Sequence, residues 1–470
     1  MNRNIFTVVA ALVLLTGCST TRKGVLSTYE RPADFSTQGI YGDAQSGDEQ
    51  SLGDLSWREV FTDPRLQSLI EKALTQNVNI KNTDLRLQEV QYALKASKLA
   101  FIPSLYFSPQ GSITKMFDPY DRNSTAAMTA GNTKSYSLPL SFGWQNVNFF
   151  QLRNAKKGAK VSLEQMQNTK QSVQAQLVAS VAQLYYNLCM LDEQLAMMQQ
   201  TEQNWGTYTD MQRKLMDAGQ SNAAAVASIE ATHLSIQTSV LTLKDNIRII
   251  ENSLSTLLGE SSQSYSRSSL AGFKAPAVMS TGLPLQILSR RPDVRDAELS
   301  LAKAFYDVAA ARAAFWPSIS LSANGQFTNS LGAAILNPGM MIGNALASLT
   351  QPIFANGRLR ANLKISKAEY EVAANNFQQA VISAGNEVNT ANVELTSAEE
   401  QGGLMAAQVE ALERALYATE QLYAHSPSNY LNVISAQNSL IQAQMSYLQN
   451  RMDAIQATIS LYQALGGGTK

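Results

Sequence analysis

The chain has 470 residues, and its 37 lysines and arginines balance its 37 aspartates and glutamates, so the formal net charge is zero. Charged residues make up 16% of the chain, against about 25% in an average soluble domain. The sequence has neither a basic stripe nor a long acidic run, which argues against a nucleic-acid-binding protein.

The first 17 residues have the pattern of an export signal, with Arg3 before a short apolar stretch. The processing site, Leu15-Thr16-Gly17-Cys18, resembles the lipobox of bacterial lipoproteins, in which the cysteine becomes the lipid-modified first residue. We therefore expect a signal peptide at 1–17 and a covalent lipid on Cys18. An ordinary signal peptide followed by an incidental cysteine is the alternative. The polar residues 18–56 are predicted to form an extended tether.

A helix-to-strand pattern occurs twice in the chain. Residues 94–114 and 308–328 align with an offset of 214, and they share the sequence Phe-x-Pro-Ser at Phe101 and Phe315. In both copies a helical pattern is stopped by the proline and followed by alternating strand residues. The duplication predicts two structurally equivalent halves.

Four strands are expected, at about 104–114, 134–146, 317–328 and 344–354, and the last has only a blurred alternation. Segments of about ten residues with one apolar and one polar face are typical of a membrane β-barrel. A half-buried sheet in a soluble domain has the same period of two, so the pattern alone leaves both open. Four strands are too few for a barrel, so the barrel interpretation requires two or three copies.

Long helices follow the second and fourth strands, at about 152–216 and 359–423. Each reaches a hairpin signal, at 217–222 or 424–429, and a shorter return helix follows. Helices of this length are stabilised by coiled-coil seams rather than by one compact core. The predicted organisation is therefore a first structural repeat at 57–260, a linker at 261–282 and a second repeat at 283–468.

Four segments resemble the TolC/OprM family of outer-membrane channels, and more closely its lipoprotein (NodT-type) branch, which serves resistance-nodulation-division (RND) efflux pumps. The segments are SRRPDVRDAE at 289–298, ARAAFWPSISL at 311–321, FANGRLRANL at 354–363 and LYQALGGG at 461–468. The resemblance covers nearly the whole chain after the signal. It implies an α+β membrane protein in which three copies form a 12-stranded outer-membrane β-barrel and a periplasmic tunnel of long helices.

The resemblance also implies the partners and the location: a homotrimer in outer-membrane lipid, a periplasmic membrane-fusion adaptor and an inner-membrane RND-type pump. The resemblance further implies that this duct passively conducts small molecules such as drugs or toxic compounds. Its two helix tips are the expected adaptor contacts. Their residues are Gly219, Gln220, Ser221, Asn222, Ser426, Pro427, Ser428 and Asn429.

The second tip departs from the family pattern. Family members commonly have Leu-Asp-Val-Leu-Asp-Ala after this tip, where the aspartates help to form the periplasmic constriction. Here the residues are Leu-Asn-Val-Ile-Ser-Ala, so Asn432 and Ser435 replace both acids. We therefore expect a neutral, hydrogen-bonded constriction around Tyr423, Asn432 and Ser435.

An enzyme is not expected, because the chain has only two histidines and two cysteines and no nucleophile or phosphate-binding motif. No metal site and no cofactor other than the lipid are predicted. The SRRPD segment at 289–293 is interpreted as a helix start that fixes an equatorial layer. The alternatives are a type I protein secretion duct, which shares the fold, a periplasmic coiled-coil adaptor and a lipoprotein enzyme.

Overall fold

A computed structural model describes residues 25–30, 51–114, 133–273, 291–329, 340–425 and 430–468. The signal peptide, Cys18 and the second tip at Ser426–Asn429 lie outside the described residues. The chain divides into two compact units. One contains Met1–Arg31, Gln88–Glu164 and Leu299–Asn375, and the other contains Pro32–Leu87, Gln165–Glu298 and Asn376–Lys470.

The described residues form long helices and one antiparallel sheet. The helices are α1 (Trp57–Val60), α2 (Pro64–Gln76), α3 (Val78–Leu99), α4 (Phe149–Asp217), α5 (Ala223–Leu258), α6 (Pro292–Ala313), α7 (Arg358–His425) and α8 (Tyr430–Ala464). The strands are β1 (Ser104–Phe107), β2 (Gln110–Thr114), β3 (Thr133–Val147), β4 (Ser318–Asn329) and β5 (Met340–Thr350). Within the described part of the chain, no helix is long and apolar enough to cross a membrane.

The sheet has the order β1-β3-β4-β5, and β2 also pairs with β3. All of these pairings are antiparallel. β1 and β2 are two parts of the predicted first strand, interrupted at Ser108 and Pro109 because proline has no N–H to donate to the ladder. The Ser108 N–H still donates to the Pro139 carbonyl at 3.2 Å. The four expected strands are therefore present, the first of them broken.

The sheet has an apolar and a polar face, as the alternation predicted. Leu140 lies opposite Gly325 and Phe142 opposite Ala323, whereas Ser141 lies opposite Asn324. The fourth strand is displaced from the expected 344–354 to Met340–Thr350. It ends early because Gln351 turns away from the ladder and Pro352 cannot continue it: the Gln351 side-chain amide donates to the Phe315 carbonyl at 2.9 Å.

From the 22-residue helix onward, the described parts of the two halves contain equivalent elements in the same order: helix, strands, long helix and return helix. The helices before the strands, α3 and α6, have 22 residues each and start at Val78 and Pro292, so they have the offset that aligns the two sequence windows. The long helices α4 and α7 have 69 and 68 residues. The return helices α5 and α8 have 36 and 35 residues.

The unit that contains most of the long helices has an aromatic core. Its largest fully buried side chains include Tyr185, Trp205 and Tyr462. The Tyr462 ring meets Phe61 edge-on at 6.2 Å, and its hydroxyl donates to the Leu55 carbonyl at 2.9 Å. The buried Tyr462 thus ties α8 to Leu55, which lies inside the predicted tether, and to Phe61, which follows it.

Candidate functional site

The first tip is a tight, fully capped turn between α4 and α5. Gly219 has a φ of +72°, the left-handed conformation that glycine adopts most readily at a helix end. Its N–H donates to Met216, and the Gln220 N–H donates to Leu215, which satisfies the last carbonyls of α4. At the start of α5, the Asn222 side chain accepts from the Ala225 N–H at 2.9 Å. The backbone of this tip is therefore held in one conformation.

Gln212 links this tip to the end of α7. Its side chain is 1% exposed. The Tyr423 hydroxyl donates to Gln212 Oε1 at 2.8 Å, and the Gln212 amide donates to the Ser221 hydroxyl. Burial raises the pKa of Tyr423, so the phenol stays protonated and can donate. Gln212 does not stand out in the sequence, because glutamine is frequent along these helices and nothing local distinguishes this one.

A second bond joins the same two helices one turn away. The Tyr208 hydroxyl donates to Glu420 Oε1 at 2.5 Å. Burial and this bond both raise the pKa of Tyr208. On the solvent side, Arg213 forms an ion pair with Glu230 at 2.7 Å, which joins α4 to α5. Three helices are thus tied together just before the first tip.

The three predicted constriction residues have different environments within one chain. Tyr423 is buried and bonded to Gln212, whereas Asn432 and Ser435 are exposed at the start of α8. Tyr423 therefore belongs to the network of the first tip. The side chains of Asn432 and Ser435 are available to a neighbouring molecule. Residues 426–429, the second tip between α7 and α8, lie outside the described residues.

Arg291, the last arginine of the SRRPD segment, is a buried ionic centre at the start of α6. Its guanidinium contacts Asp293 at 2.6 Å and Glu387 at 2.5 Å, and it also donates to the Ala464 carbonyl at 3.0 Å. Burial alone would lower the pKa of Arg291, but the two carboxylates outweigh that effect and raise it. Arg291 thus ties α6 to α7 and to the end of α8, the structural role expected for this segment.

The described start of the linker carries a second arginine, half-buried, with two acidic partners. Arg267 donates to Asp192 at 2.9 Å on α4 and to Glu251 at 2.8 Å on α5. Nearby, the Tyr185 hydroxyl donates to Asp63 at 2.5 Å and accepts from the Ser268 N–H at 3.0 Å. This part of the linker is therefore fixed to α4 and α5.

These clusters are structural rather than catalytic. Each buried charged side chain in these clusters forms an ion pair or donates a hydrogen bond to a backbone carbonyl. Cys189 is buried, and burial raises its pKa to about 12, which makes the thiol unreactive. Among the described residues, no group of three or more histidines, cysteines, aspartates or glutamates could hold a metal ion.

Part of the predicted tether is docked on the unit that contains the sheet. Asn154 donates to the Val25 carbonyl at 3.1 Å, and Lys157 donates to the Ser27 carbonyl at 3.1 Å. The Tyr29 ring meets Phe305 edge-on at 5.9 Å. Residues 25–30 are therefore held by side chains of α4 and α6, whereas the sequence predicts an extended tether over all of 18–56.

Comparison with known proteins gives one family. The family model described as "Outer membrane efflux protein" matches residues 69–260 and 283–467. The chain is 28% identical over 467 residues to the cation efflux system protein CusC of Escherichia coli K12, covering 97% of both chains.

Two further relatives cover most of the chain. The probable outer membrane lipoprotein SilC of Salmonella typhimurium is 26% identical over 420 residues, 89% of both chains. The toluene efflux pump outer membrane protein TtgC of Pseudomonas putida is 26% identical over 488 residues, 100% of this chain and 96% of the relative.

Crystal structures of CusC align with the chain at a TM-score of 0.81 and 26% identity, covering 94% of this chain and 99% of CusC. The matched regions include both repeats, and the predicted fold class is confirmed.

Proposed function

The chain belongs to the outer membrane efflux protein family and is an outer-membrane efflux channel, and we propose that three copies of it form the exit duct of a tripartite efflux system. In this proposal the duct is passive. An inner-membrane RND-type pump supplies the energy, and a periplasmic membrane-fusion adaptor connects the pump to the helix tips.

The unpaired edges of the sheet are the observation that supports a homotrimer. Within the described residues, β1 and β2 pair only with β3, and β5 pairs only with β4. The sheet thus ends in two different strands, and positions 343–350 of β5 are all exposed. Unpaired strand edges are templates for further pairing. Since the two edges differ, pairing between copies is head-to-tail and closes into a ring. Three copies supply 12 strands.

The tips support the proposed adaptor contact. The first tip, Gly219–Asn222, is preformed and presents a fixed surface, because the Gln212 network and the Asn222 cap hold it. We assign the second contact to Ser426–Asn429 on the equivalence of the two repeats. Asn432 and Ser435 are exposed and uncharged, so they form a neutral constriction when three copies meet around an axis.

The lipid anchor is part of the proposal. Cys18 follows a lipobox-like sequence, and SilC is described as a probable outer membrane lipoprotein. Val25, seven residues after Cys18, is bound by Asn154. An extended chain of seven residues reaches at most about 25 Å. The lipid on Cys18 therefore inserts close to the unit that contains the sheet.

In this proposal the pump, and not the duct, selects the transported compound. The names of the relatives mention both a cation and toluene, so a duct of this family is not tied to one class of cargo. A type I secretion duct is the alternative assembly, and the inner-membrane protein that co-purifies with the chain distinguishes the two.

The test is single-channel conductance of the purified, detergent-extracted protein in planar bilayers. We expect the wild type to conduct and the double variant Asn432→Asp/Ser435→Asp to have a changed conductance and cation selectivity, since three copies place six carboxylates at the constriction. The matched control is Asn376→Asp on α7, an exposed position about 70 Å along the helix from its C-terminal end.

Two results would contradict parts of the proposal. If the wild type conducts and the two aspartates do not change its conductance, the chain forms a duct but its constriction does not lie at Asn432 and Ser435. No conductance, together with the absence of heat-resistant trimers on denaturing gels, rejects the duct itself.

A further inference from the structure

We propose that the loop after β5 is a hydrophobic anchor that docks onto the next copy of the chain in the assembly. The loop, Gln351–Gly357, is called the foot loop below. Its acceptor is the turn before β1, Leu99–Ile102, called the foot turn. This inference rests on the homotrimer proposed above and adds a contact outside the strand pairing.

The foot loop exposes two adjacent large apolar side chains. Ile353 is 96% exposed and Phe354 is 84% exposed, the two highest values among the exposed large hydrophobic side chains of the described residues. Leaving apolar side chains of this size in water is unfavourable, and burial against another apolar surface stabilises them. Paired exposed hydrophobic side chains are a feature of interaction sites rather than of free surfaces.

The foot loop is braced on both sides of this pair. Before it, the Gln351 amide donates to the Phe315 carbonyl at 2.9 Å. After it, Asn356 and Gly357 both have positive φ, +50° and +78°, and the Arg358 N–H closes the turn onto Ala355 at 2.9 Å. Since the loop is anchored at both ends, Ile353 and Phe354 project in a fixed direction.

The foot turn supplies a complementary apolar surface. Leu99 is 51% exposed and Ile102 is 60% exposed. The Ile102 N–H donates to the Leu99 carbonyl at 2.8 Å, so this turn is also fixed. Leu105, the second residue of β1, extends the apolar surface and is 62% exposed.

Strand direction brings the two surfaces together between copies. β1 begins at the foot turn and β5 ends at the foot loop. Because every pairing in the order β1-β3-β4-β5 is antiparallel, β1 and β5 run in opposite directions, so the foot turn and the foot loop lie at the same end of the sheet. The β5 edge of one copy can therefore pair antiparallel with the β1–β2 edge of the next. β5 has 11 residues, and the opposite edge runs from Ser104 to Thr114. Pairing over the full length places Thr350 opposite Ser104, and hence the foot loop beside the foot turn.

The same surface does not form within one chain. β1 and β5 are at opposite edges of the sheet with β3 and β4 between them, so their separation across the sheet is about 14 Å. The occupant to which we commit is therefore the foot turn of a second copy. The rival occupant is the lipid interface, where exposed aromatic side chains are also common.

The first experiment is cross-linking between copies in outer membranes, with the full-length chain and Cys18 retained. The variant Ile102→Cys/Ile353→Cys is treated with a short bifunctional maleimide and run on a denaturing gel. We expect the monomer band to be lost to covalent dimers and trimers. The control pair, Ile113→Cys/Ile353→Cys, should stay monomeric, because Ile113 is about 30 Å further along the edge. Cys189 is buried and does not contribute.

A second pair separates this inference from the homotrimer. Leu105→Cys/Leu349→Cys tests the strand edges, since the same register places these two residues opposite each other. Cross-linking at the edges without cross-linking at the foot overturns the docking of the foot loop. Cross-linking at neither position overturns the full-length register and with it the docking of the foot loop, and heat-resistant trimers on the same gels then decide separately whether the homotrimer stands.

The lipid alternative has its own readout. A tryptophan introduced by Phe354→Trp is reconstituted in bilayers of brominated phosphatidylcholine. Under our proposal it adds no quenchable fluorescence beyond that of the four native tryptophans. Strong additional quenching would place the foot loop in lipid and overturn the proposal.

Discussion

Positions 77 and 291 are equivalent in the two repeats, and their different side chains donate to equivalent backbone carbonyls. Asn77 precedes α3 and its amide donates to the Leu257 carbonyl at the end of α5, at 2.8 Å. Arg291 precedes α6 and donates to the Ala464 carbonyl at the end of α8, at 3.0 Å. Both side chains are buried, at 5% exposure. In each half, the start of the 22-residue helix is tied to the end of the return helix.

The difference lies in what else each side chain does. The Asn77 side-chain oxygen accepts from the Asn79 N–H at 2.8 Å, so Asn77 also caps its own helix. Arg291 adds two ion pairs, of which the one with Glu387 reaches α7. The backbone requirement is therefore the same in both repeats. In the second repeat, Arg291 adds a charged contact to the long helix. Substitution at this position should therefore destabilise the fold more than substitution at the equivalent position in the first repeat.

The largest effect is expected for Arg291→Ala. The change removes the carbonyl contact and both ion pairs, and leaves a cavity. Removing one partner of a buried pair costs about 3–5 kcal/mol, and we expect the lower end because Asp293 and Glu387 keep about half of their surface in water. Thermal unfolding followed by circular dichroism should show a clearly lower midpoint. Arg414→Ala, which breaks an exposed pair, is the control and should have little effect.

A smaller loss is expected for Arg291→Lys. Lysine retains the charge but cannot contact Asp293 with two nitrogens and reach the Ala464 carbonyl at the same time. The midpoint should fall between those of the wild type and Arg291→Ala. If Arg291→Lys unfolds like the alanine variant, the geometry of the guanidinium rather than its charge is what the second repeat uses.

For Asn77→Ala we expect a loss of about 1–2 kcal/mol, because one hydrogen bond and one helix cap are removed and no charge is involved. Asn77→Ser keeps a side-chain oxygen for the cap and loses only the bond to Leu257, so it should be milder. An effect as large as that of Arg291→Ala would contradict the ranking of the two repeats.

The smallest effect is expected in the pH dependence of stability, through the carboxylate of Asp293. Burial alone would raise the pKa of Asp293, but Arg291 lowers it below its usual range. The pair therefore stabilises the folded state above the unfolded pKa of about 3.9, and this contribution is lost as the pH falls through the folded value. The difference in midpoint between wild type and Asp293→Asn should be constant from pH 8 to 5 and shrink below pH 4. Because Asp293 is half exposed, the difference stays below about 1 kcal/mol. A difference that grows in acid would reverse the assigned sign.

The helices and the repeat were predictable because their signals are local. Proline ends the helix at Pro103 and at Pro317, and glycine marks the helix ends at Gly219 and Gly259, both with positive φ. Such breakers act through their own backbone geometry. The long helices consequently begin and end within three residues of the expected positions.

The contacts at the first tip were not predictable, because they join residues far apart in sequence. Gln212 and Tyr423 are separated by 211 positions, and nothing in the residues around Gln212 distinguishes it from its many neighbours of the same type. The displaced end of the fourth strand has a local and a long-range cause. Pro352 is a breaker that the expected range 344–354 ran through, whereas the contact of Gln351 with Phe315 is not encoded by any periodicity within the strand.

The sequence by itself determined the order of the elements, the duplication and the family, since periodicity, helix breakers and characteristic segments are written in neighbouring residues. Only the tertiary structure decided which partners the polar side chains take: Gln212 for Tyr423, Leu257 for Asn77, Ala464 for Arg291. The physical reason is that a buried donor must find an acceptor wherever the packing places one. For these three side chains, the partner lies on another helix.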